Sequence, residues 1–273
     1  MPNLIYILFE QPLFNLITLF YKLTQGIGFP SILNLGLYVV LITLLIKILL
    51  LPAVIPSFNN MKKQKALKPE LDKLKQKYGE DKKRMAEEQM KLFKEHGINP
   101  TSGCLSQIVM IFILIGLYQV VQKLTTISNL SELNYSLYSN FLFFTEKDTL
   151  ENTFLFFNMS EPDMTFILPI LAGIFTFVTS AMMMPVLTEA EKAAKKSSTE
   201  MEDIAYTMQQ QMTIMAPVLT FFACLTLDSA LSLYIFVSSL FGVAQQYYLL
   251  GNWGGLVPYV NSIVKMGQKR GEK

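Results

Sequence analysis

The sequence predicts an all-α integral membrane protein with five transmembrane helices, and three observations support this fold class. The chain has 273 residues, of which 51% are hydrophobic and only 16% are charged, whereas soluble domains carry about 25% charged residues. Its mean hydropathy is +0.35. The charges are concentrated in a few segments, and the windows between them approach the roughly 20 apolar residues that a transmembrane helix needs.

Apolar windows and charged segments alternate, and their order predicts the organisation of the chain. The shorter windows hold about 16 or 17 residues, which as a helix reach roughly 24–26 Å, less than a hydrocarbon core of ~30 Å. Either these helices extend beyond their windows or the bilayer thins around them. The predicted segments are an interfacial helix (1–32), a first transmembrane helix (33–56), a helical hairpin (57–97), a second transmembrane helix (103–123), a loop (124–163), a third transmembrane helix (164–185), a loop (186–208), a fourth and a fifth transmembrane helix (209–227 and 229–251) and a basic tail (252–273).

The distribution of basic residues predicts the orientation in the membrane. Segment 57–97 holds twelve Lys and Arg residues, whereas loop 124–163 holds one. Loop 186–208 and the tail are basic as well. Because cytoplasmic loops carry the excess of Lys and Arg, we expect these three segments and the C-terminus in the cytoplasm and the N-terminus outside. No transit peptide is recognised, so we expect a multi-pass protein of a bacterial plasma membrane.

The first 24 residues are apolar but are interrupted by Glu10 and Pro12. They have no basic n-region and no small-residue cleavage site, so a cleaved signal peptide is not expected. Apolar residues recur there at helical spacing, which favours a helix lying in the membrane interface. These residues are Phe9, Leu13, Leu16, Ile17, Phe20 and Tyr21.

Segment 57–97 predicts an antiparallel pair of cytoplasmic helices joined near Gly79. Leu67, Leu71, Leu74 and Tyr78 form one apolar stripe on an otherwise charged helix. A weaker stripe follows in the second helix, which ends before Gly97 and Pro100. A charged linker with no role beyond solubility is the alternative, although 40 residues exceed what a connection requires.

Lys47 is the most unusual residue of the sequence, because it lies in the middle of the first apolar window. A lysine at the bilayer centre costs about 2.5–3.5 kcal/mol on insertion scales. An acidic partner, a hydrated cavity or snorkelling past Pro52 to the interface could relieve this cost. Asp228 is the only acidic residue inside or touching the last two apolar windows, and it lies in the tight turn between them, on the predicted outer side of the membrane. A water-filled groove is therefore the favoured interpretation.

Other polar residues of the apolar windows could line such a groove. Thr43 precedes Lys47 by four residues and therefore shares its helical face. Singly, each of these side chains fits helix packing equally well. The candidates for groove lining and substrate contact are Lys47, Thr43, Tyr234, Gln107, Ser180, Thr179 and Ser238.

Several function classes have little support in the sequence. The net charge is only +2, which does not indicate specific nucleic-acid binding. With two cysteines and a single histidine, His96, no metal site, cofactor site or hydrolytic centre is expected, and the chain is not predicted to be an enzyme. A transporter of anions or other solutes remains an alternative, although no internal repeat is visible.

The chain also resembles the YidC-type membrane protein insertases, the bacterial branch of the YidC/Oxa/Alb superfamily. The similarity is carried by an ordered set of short segments over roughly residues 12–250. They are Pro12-Leu13-Phe14, Leu41-Ile42-Thr43-Leu44-Leu45-Ile46-Lys47, Met61-Lys62-Lys63, Leu67-Lys68-Pro69-Glu70-Leu71, Lys91-Leu92-Phe93-Lys94-Glu95-His96-Gly97-Ile98-Asn99-Pro100, Gly103-Cys104-Leu105, Leu117-Tyr118, Ile167-Leu168-Pro169-Ile170-Leu171, Leu233-Tyr234-Ile235-Phe236-Val237-Ser238 and Gln245-Gln246.

The resemblance implies a chaperone-like insertase that inserts and helps fold small or newly made membrane proteins. Its helices would surround a hydrophilic groove open to the cytoplasm, with Lys47 as the groove charge, Thr43 as its neighbour and Tyr234 as a contact from the last helix. The implied partners are nascent membrane proteins, the ribosome, the secretory translocon and membrane lipids. A chaperone or assembly platform acting after the translocon is the alternative. The hairpin would receive substrates through Lys62, Lys63, Lys65, Lys68, Leu71 and Arg84.

Some positions depart from the family pattern. Lys47 stands where arginine is usual, which keeps the charge but loses the planar fork of the guanidinium. Ser106 and Asp228 replace usual prolines, and Ser180 replaces a usual glutamine. These departures affect the expected lining of the groove rather than the family resemblance.

Overall fold

The computed structural model describes residues 4–25, 34–78, 81–99, 102–127, 129–146, 148–183 and 200–261. Most of these residues are helical, as the sequence predicts. After a π-helical turn over Tyr6–Glu10, the described helices are α1 (Gln11–Gln25), α2 (Leu35–Ala66), α3 (Lys68–Tyr78), α4 (Lys82–Glu95), α5 (Ser102–Thr126), α6 (Ile167–Met182), α7 (Glu200–Thr226) and α8 (Ser229–Leu250).

Among the described residues, three helices are long and apolar enough to cross a membrane. They cover Leu35–Gln64 of α2, Ile108–Thr126 of α5 and Ser229–Leu250, which is α8. Two shorter apolar helical stretches cover Ile167–Met182 and Thr213–Thr226. The predicted class, an all-α membrane protein, is confirmed, whereas the crossing of the membrane by the two shorter stretches remains a prediction.

The chain divides into two compact units, and the first comprises the described residues of Met1–Leu50, Ser106–Phe175 and Leu219–Phe241. Its core is a continuous apolar cluster that takes Ile17 from α1, Val39 from α2, Val120 from α5 and Leu233 from α8. Here α1 buries most of its predicted apolar stripe. The stripe therefore packs on protein, and it is the other face of the N-terminal segment that is exposed.

The segment between α5 and α6 closes over this core with short elements. These are two 3₁₀ helices, Leu130–Ser136 and Asn140–Leu142, and an antiparallel hairpin of β1 (Thr153–Phe154) and β2 (Phe157–Asn158). The amide of Asn15 in α1 fixes the segment from both sides. It donates to the carbonyl of Ser136 at 3.0 Å and accepts from the backbone N–H of Tyr138 at 2.7 Å.

The second unit comprises the described residues of Leu51–Leu105, Thr176–Val218 and Gly242–Lys273. In it α3 and α4 form an antiparallel helical hairpin around Leu67, Phe93 and Ile98. The predicted boundary between first span and hairpin, at 56, lies inside α2, which continues to Ala66 with Pro52 and Pro56 in its interior.

Elsewhere in the second unit, the chain after α8 turns back onto the end of α6. The backbone N–H of Gly255 donates to the carbonyl of Met182 at 3.0 Å. Gly254 has φ +57°, and a Cβ there would lie 2.2 Å from the same carbonyl oxygen, so only glycine fits. Of the predicted basic tail, 262–273 lies outside the described residues, as does 184–199 of the loop after α6.

Candidate functional site

Lys47 lies in the part of α2 where the sequence is apolar on all sides, a composition typical of a helix in lipid or in a protein core. The two residues after it, Ile48 and Leu49, are 54% and 64% exposed, yet Lys47 itself is half-buried. Thr43 and Val39, which precede Lys47 by four and eight residues, are fully buried. Since this spacing keeps residues on one helical face, Lys47 lies on the face of α2 that packs against protein.

No acidic group neutralises this lysine within the described residues. The Lys47 ammonium makes neither an ion pair nor a hydrogen bond in the part of the chain that the structure describes. Three acidic side chains of the first unit have other partners: Glu10 pairs with Lys123, Asp148 with Lys22 at 2.7 Å, and Asp228 accepts from Gln122 at 2.6 Å.

Two of the predicted neighbours of Lys47 lie in the same compact unit and are buried. The Thr43 hydroxyl donates to the carbonyl of Val39 at 2.6 Å, so its proton is bonded within α2. Tyr234 of α8 belongs to the same apolar cluster as Ile42 of α2, which brings these two helices together. Ser238 follows Tyr234 by four residues, one turn further along α8.

The other predicted lining residues lie in the second compact unit or have side chains outside the described residues. Thr179 and Ser180 are half-buried on α6 and belong to the second compact unit. The Thr179 hydroxyl donates to the carbonyl of Thr176 at 2.9 Å. The side chain of Gln107 lies outside the described residues. The described arrangement thus joins Lys47, Thr43, Tyr234 and Ser238 in one unit.

Pro52 adds a backbone feature close to Lys47. A proline has no N–H, so the carbonyl four residues earlier in a helix loses its usual donor. In α2 that carbonyl belongs to Ile48, the residue directly after Lys47. An ammonium and a carbonyl without its helical donor therefore follow one another within an apolar stretch of α2.

Two ion pairs between distant segments were not predicted from the sequence. Lys22 and Asp148 are 10% and 8% exposed, and the Lys22 ammonium also lies 5.5 Å from the ring centre of Tyr21. The second pair joins Lys123 to the buried carboxylate of Glu10. A signal was present, because Glu10 interrupts an apolar segment and Lys123 ends an apolar window, each without a local partner.

The α3–α4 hairpin presents the second predicted site. The chain just after α4 is held against α2, because the Asn60 side chain donates to the carbonyl of Asn99 at 3.2 Å. A cavity of about 290 Å³ lies between α3 and α4, and Leu74 and Leu92 are among its lining residues. Charges of both signs surround it: Glu70, Lys73, Lys77, Glu88, Lys91 and Glu95.

The predicted recruitment residues lie on this hairpin and on the end of α2. The side chains of Lys62, Lys63 and Arg84 are exposed, and Leu71 packs against the apolar seam between α3 and α4. The side chains of Lys65 and Lys68 lie outside the described residues. The described surface of the hairpin is therefore a charged, shallow groove over a narrow apolar seam.

Comparison with known proteins decides the family. A family model described as "60Kd inner membrane protein" matches residues 28–253, which is most of the chain. The chain belongs to this family. Its match covers α2 through α8, including Lys47 and the hairpin, and the resemblance to YidC-type proteins is thereby confirmed.

Individual members of the 60Kd inner membrane protein family cover most of this chain as well. The membrane protein insertase MisCA of Bacillus subtilis is 34% identical over 244 residues, 88% of this chain and 77% of the relative. YidC of Fusobacterium nucleatum is 29% identical over 80% of this chain and 86% of its own length. YidC 2 of Bacillus anthracis is 31% identical over 89% of this chain and 80% of its own length.

Proposed function

We propose that this chain is a membrane protein insertase that uses Lys47 as the charge of a hydrated groove between its helices. The observation that carries the proposal is that Lys47 lies on the protein-facing side of α2 and has no acidic partner among the described residues. The relatives named above, all called membrane protein insertases, support the same function.

The proposed topology has five crossings, by α2, α5, α6, α7 and α8. Three of these helices, α2, α5 and α8, are long and apolar enough to cross a membrane, whereas α6 and the apolar part of α7 are shorter. Short crossings thin the bilayer locally, which would shorten the path of a polar segment through lipid. The charged α3–α4 hairpin then lies in the cytoplasm and the segment between α5 and α6 lies outside.

Water is the proposed solvent of the Lys47 ammonium. A lysine without a counter-ion in hydrocarbon costs several kcal/mol, so a stable protein places it where water or a partner reaches it. The carbonyl of Ile48, which loses its helical donor to Pro52, needs a donor as well. One body of water beside this face of α2 would satisfy both groups.

The proposed role of Lys47 is to lower the cost of moving an acidic tail into the membrane. An aspartate at the bilayer centre costs about 2.5–3.5 kcal/mol on insertion scales. A lysine about 4 Å away returns roughly 4 kcal/mol at an effective dielectric constant of ~20. One unpaired lysine therefore offsets the transfer of one carboxylate, and it does so without an external energy source.

The hairpin is proposed to receive substrates before they reach the groove. Its exposed Lys62, Lys63 and Arg84 would contact acidic surfaces, and its cavity offers two leucines, Leu74 and Leu92, among its lining residues. Proposed partners are the ribosome, nascent membrane proteins and the secretory translocon. Insertion itself requires the groove, so the hairpin would change the rate at which substrates arrive.

Reconstitution of the full chain into liposomes tests the function. A small single-span substrate with one aspartate in its translocated tail should insert, and Lys47→Met should lower its insertion rate about tenfold, as expected for a loss of ~1.4 kcal/mol. Lys47→Arg is the matched control, because it changes the same side chain but keeps its positive charge. Its rate should equal the wild type.

Three results would contradict the proposal. Equal insertion by wild type and Lys47→Met would remove the role of the lysine. Insertion that requires an added translocon would favour an assembly platform. A flux of small anions through the same liposomes would favour a transporter.

A further inference from the structure

Two apolar residues with an unusual backbone conformation mark the segment between α5 and α6. Leu155 has φ +55° and Phe166 has φ +61°, and no other non-glycine residue in the described part of the chain has a positive φ. Steric repulsion disfavours this conformation for residues with a Cβ, and Gly, Asn and Asp usually occupy it. Both residues are large, apolar and exposed, so neither burial in the core nor backbone preference explains them.

The β1–β2 hairpin shows how Leu155 is held outward. Phe157 is buried in the core of the first unit, and Phe154 packs against Gly36 so closely that a Cβ on Gly36 would lie 2.3 Å from the Cβ of Phe154. The two residues at the tip, Leu155 and Phe156, are 77% and 65% exposed. Two aromatic residues thus fix the base of the hairpin, and two apolar side chains project from its tip.

The position of the base sets the level of the tip relative to the membrane. Gly36 is the second residue of α2, at the point where its apolar crossing begins with Leu35. A side chain packed against Gly36 therefore lies at the end of the apolar stretch by which α2 would cross the membrane. The hairpin sequence Thr153–Asn158 contains no charged residue, so nothing in it resists contact with lipid.

The surrounding segment has the composition of a membrane interface. Its large exposed residues include Tyr135, Tyr138 and Phe141. Aromatic residues are enriched where a protein meets the headgroup layer. In the topology proposed above, on which this placement rests, α5 crosses the membrane and the segment between α5 and α6 meets the outer leaflet.

We propose that Leu155 and Phe156 insert into the lipid of that leaflet and anchor the segment between α5 and α6 to it. Lipid is favoured over a protein partner because the tip carries no polar side chain that would orient a partner and because its base adjoins a membrane-crossing helix. The anchor would hold the segment at a fixed depth over the helices of the first unit.

Tryptophan fluorescence in liposomes tests this proposal with the full-length chain. Trp253, the single native tryptophan, is replaced by Phe, and Phe156→Trp supplies a probe at the tip. Phosphatidylcholine–phosphatidylglycerol vesicles containing lipids brominated on the acyl chain should quench this probe strongly, and aqueous iodide should quench it weakly. Glu146→Trp is the matched control, because Glu146 is an exposed charged residue of the same segment. Aqueous iodide should quench this control probe strongly, and brominated lipid should quench it weakly.

A second probe guards against misfolding of the first variant. Leu155→Trp should give the same pattern, and both variants should keep the thermal midpoint of the Trp253→Phe parent within a few degrees. Strong iodide quenching without lipid quenching would place the tip in water and overturn the proposal. Protection from both quenchers would place it against protein, in a second copy or another chain, and would overturn it as well.

Discussion

Lysine charges are paired with acidic side chains in the region around Lys22 and Lys123. In the described part of the chain, the lysine charge in the region around Lys47 is not. In the first, the Lys22 ammonium is nearly inaccessible and contacts Asp148 at 2.7 Å, and Lys123 contacts the buried Glu10. In the second, Lys47 lies on the protein-facing side of α2, and in the described part of the chain it has no acidic partner. Both regions belong to the same compact unit.

The difference separates a structural use of lysine from a functional one. A buried pair fixes two chain segments, because removal of either partner leaves an uncompensated charge. These pairs join the N-terminal segment to the 124–163 segment and to α5. A lone lysine fixes nothing and costs free energy, so its presence needs a reason outside the fold. Substitutions at Asp148 and Lys47 test this distinction, and substitutions at Leu155 and Asp228 test other parts of the same compact unit.

The largest effect is expected at the buried pair. Asp148→Ala leaves Lys22 without a counter-ion, and we expect the free energy of unfolding to fall by about 3–5 kcal/mol. Denaturant unfolding in detergent measures it. The double variant Lys22→Met with Asp148→Leu should recover most of the loss, because replacing both partners by apolar residues is often neutral. If Asp148→Ala alone is as stable as the wild type, the Lys22–Asp148 pair does not stabilise the fold and the two regions do not differ in this respect.

Lys47→Met should have the opposite sign in the same assay. Without an ion pair to break, removing the charge lowers a solvation cost, and we expect a gain of about 1–3 kcal/mol in the free energy of unfolding. The loss of insertion activity described above should accompany this gain. A lower free energy of unfolding for Lys47→Met than for the wild type would show that Lys47 has a structural partner, as Lys22 does.

Leu155→Gly should stabilise the β1–β2 hairpin in the segment between α5 and α6. Relief of a positive φ returns about 1–3 kcal/mol, and the greater freedom of glycine in the unfolded chain costs about 0.5–1 kcal/mol. We expect a net gain of about 1 kcal/mol in detergent, where the lipid anchor makes no contribution. Leu155→Ala serves as control and should show no gain, because alanine keeps the Cβ. An equal gain from both would remove the backbone explanation.

The smallest effect concerns Asp228, which lies between α7 and α8. Burial raises the pKa of its carboxyl above the ordinary 3.8, and the hydrogen bond from Gln122 opposes this rise. The folded state therefore binds this proton more tightly than the unfolded state. Its contribution to stability is complete below the ordinary pKa and is lost as the pH rises through the raised folded pKa.

Asp228→Asn removes that titration. The thermal midpoint of the wild type minus that of the variant should therefore grow as the pH is lowered from about 7 to about 4. A difference that stays constant over this range, or shrinks toward acid, would show that burial does not control this carboxyl.

Sequence reasoning found the features whose signals are local. The apolar windows located the helices, and the turn expected near Gly79 agrees with α3 ending at Tyr78 and α4 beginning at Lys82. The end of α2 was missed, because Pro52 and Pro56 are ordinary signs of a helix end, yet α2 continues to Ala66. Proline is tolerated inside membrane helices, where other groups satisfy the freed carbonyls.

Contacts between distant segments could not be obtained in this way. Lys22 and Asp148 are 126 residues apart, and no local pattern announces that their side chains meet. Thr43 illustrates a further limit. Its position beside Lys47 follows from helical spacing, but the hydrogen bond of its hydroxyl to Val39 depends on a rotamer that the sequence does not specify.

Cysteine labelling of α2 tests most directly whether water reaches Lys47. In a background with Cys104→Ser and Cys224→Ala, Lys47→Cys and Leu49→Cys place thiols on opposite faces of the helix. A membrane-impermeant maleimide is added to liposomes from the side of the α3–α4 hairpin. We expect rapid labelling of the Lys47→Cys variant and slow labelling of the Leu49→Cys variant, although Leu49 is the more exposed side chain in the protein itself. Equal labelling of both variants, or labelling of the Leu49→Cys variant alone, would contradict a hydrated groove at Lys47.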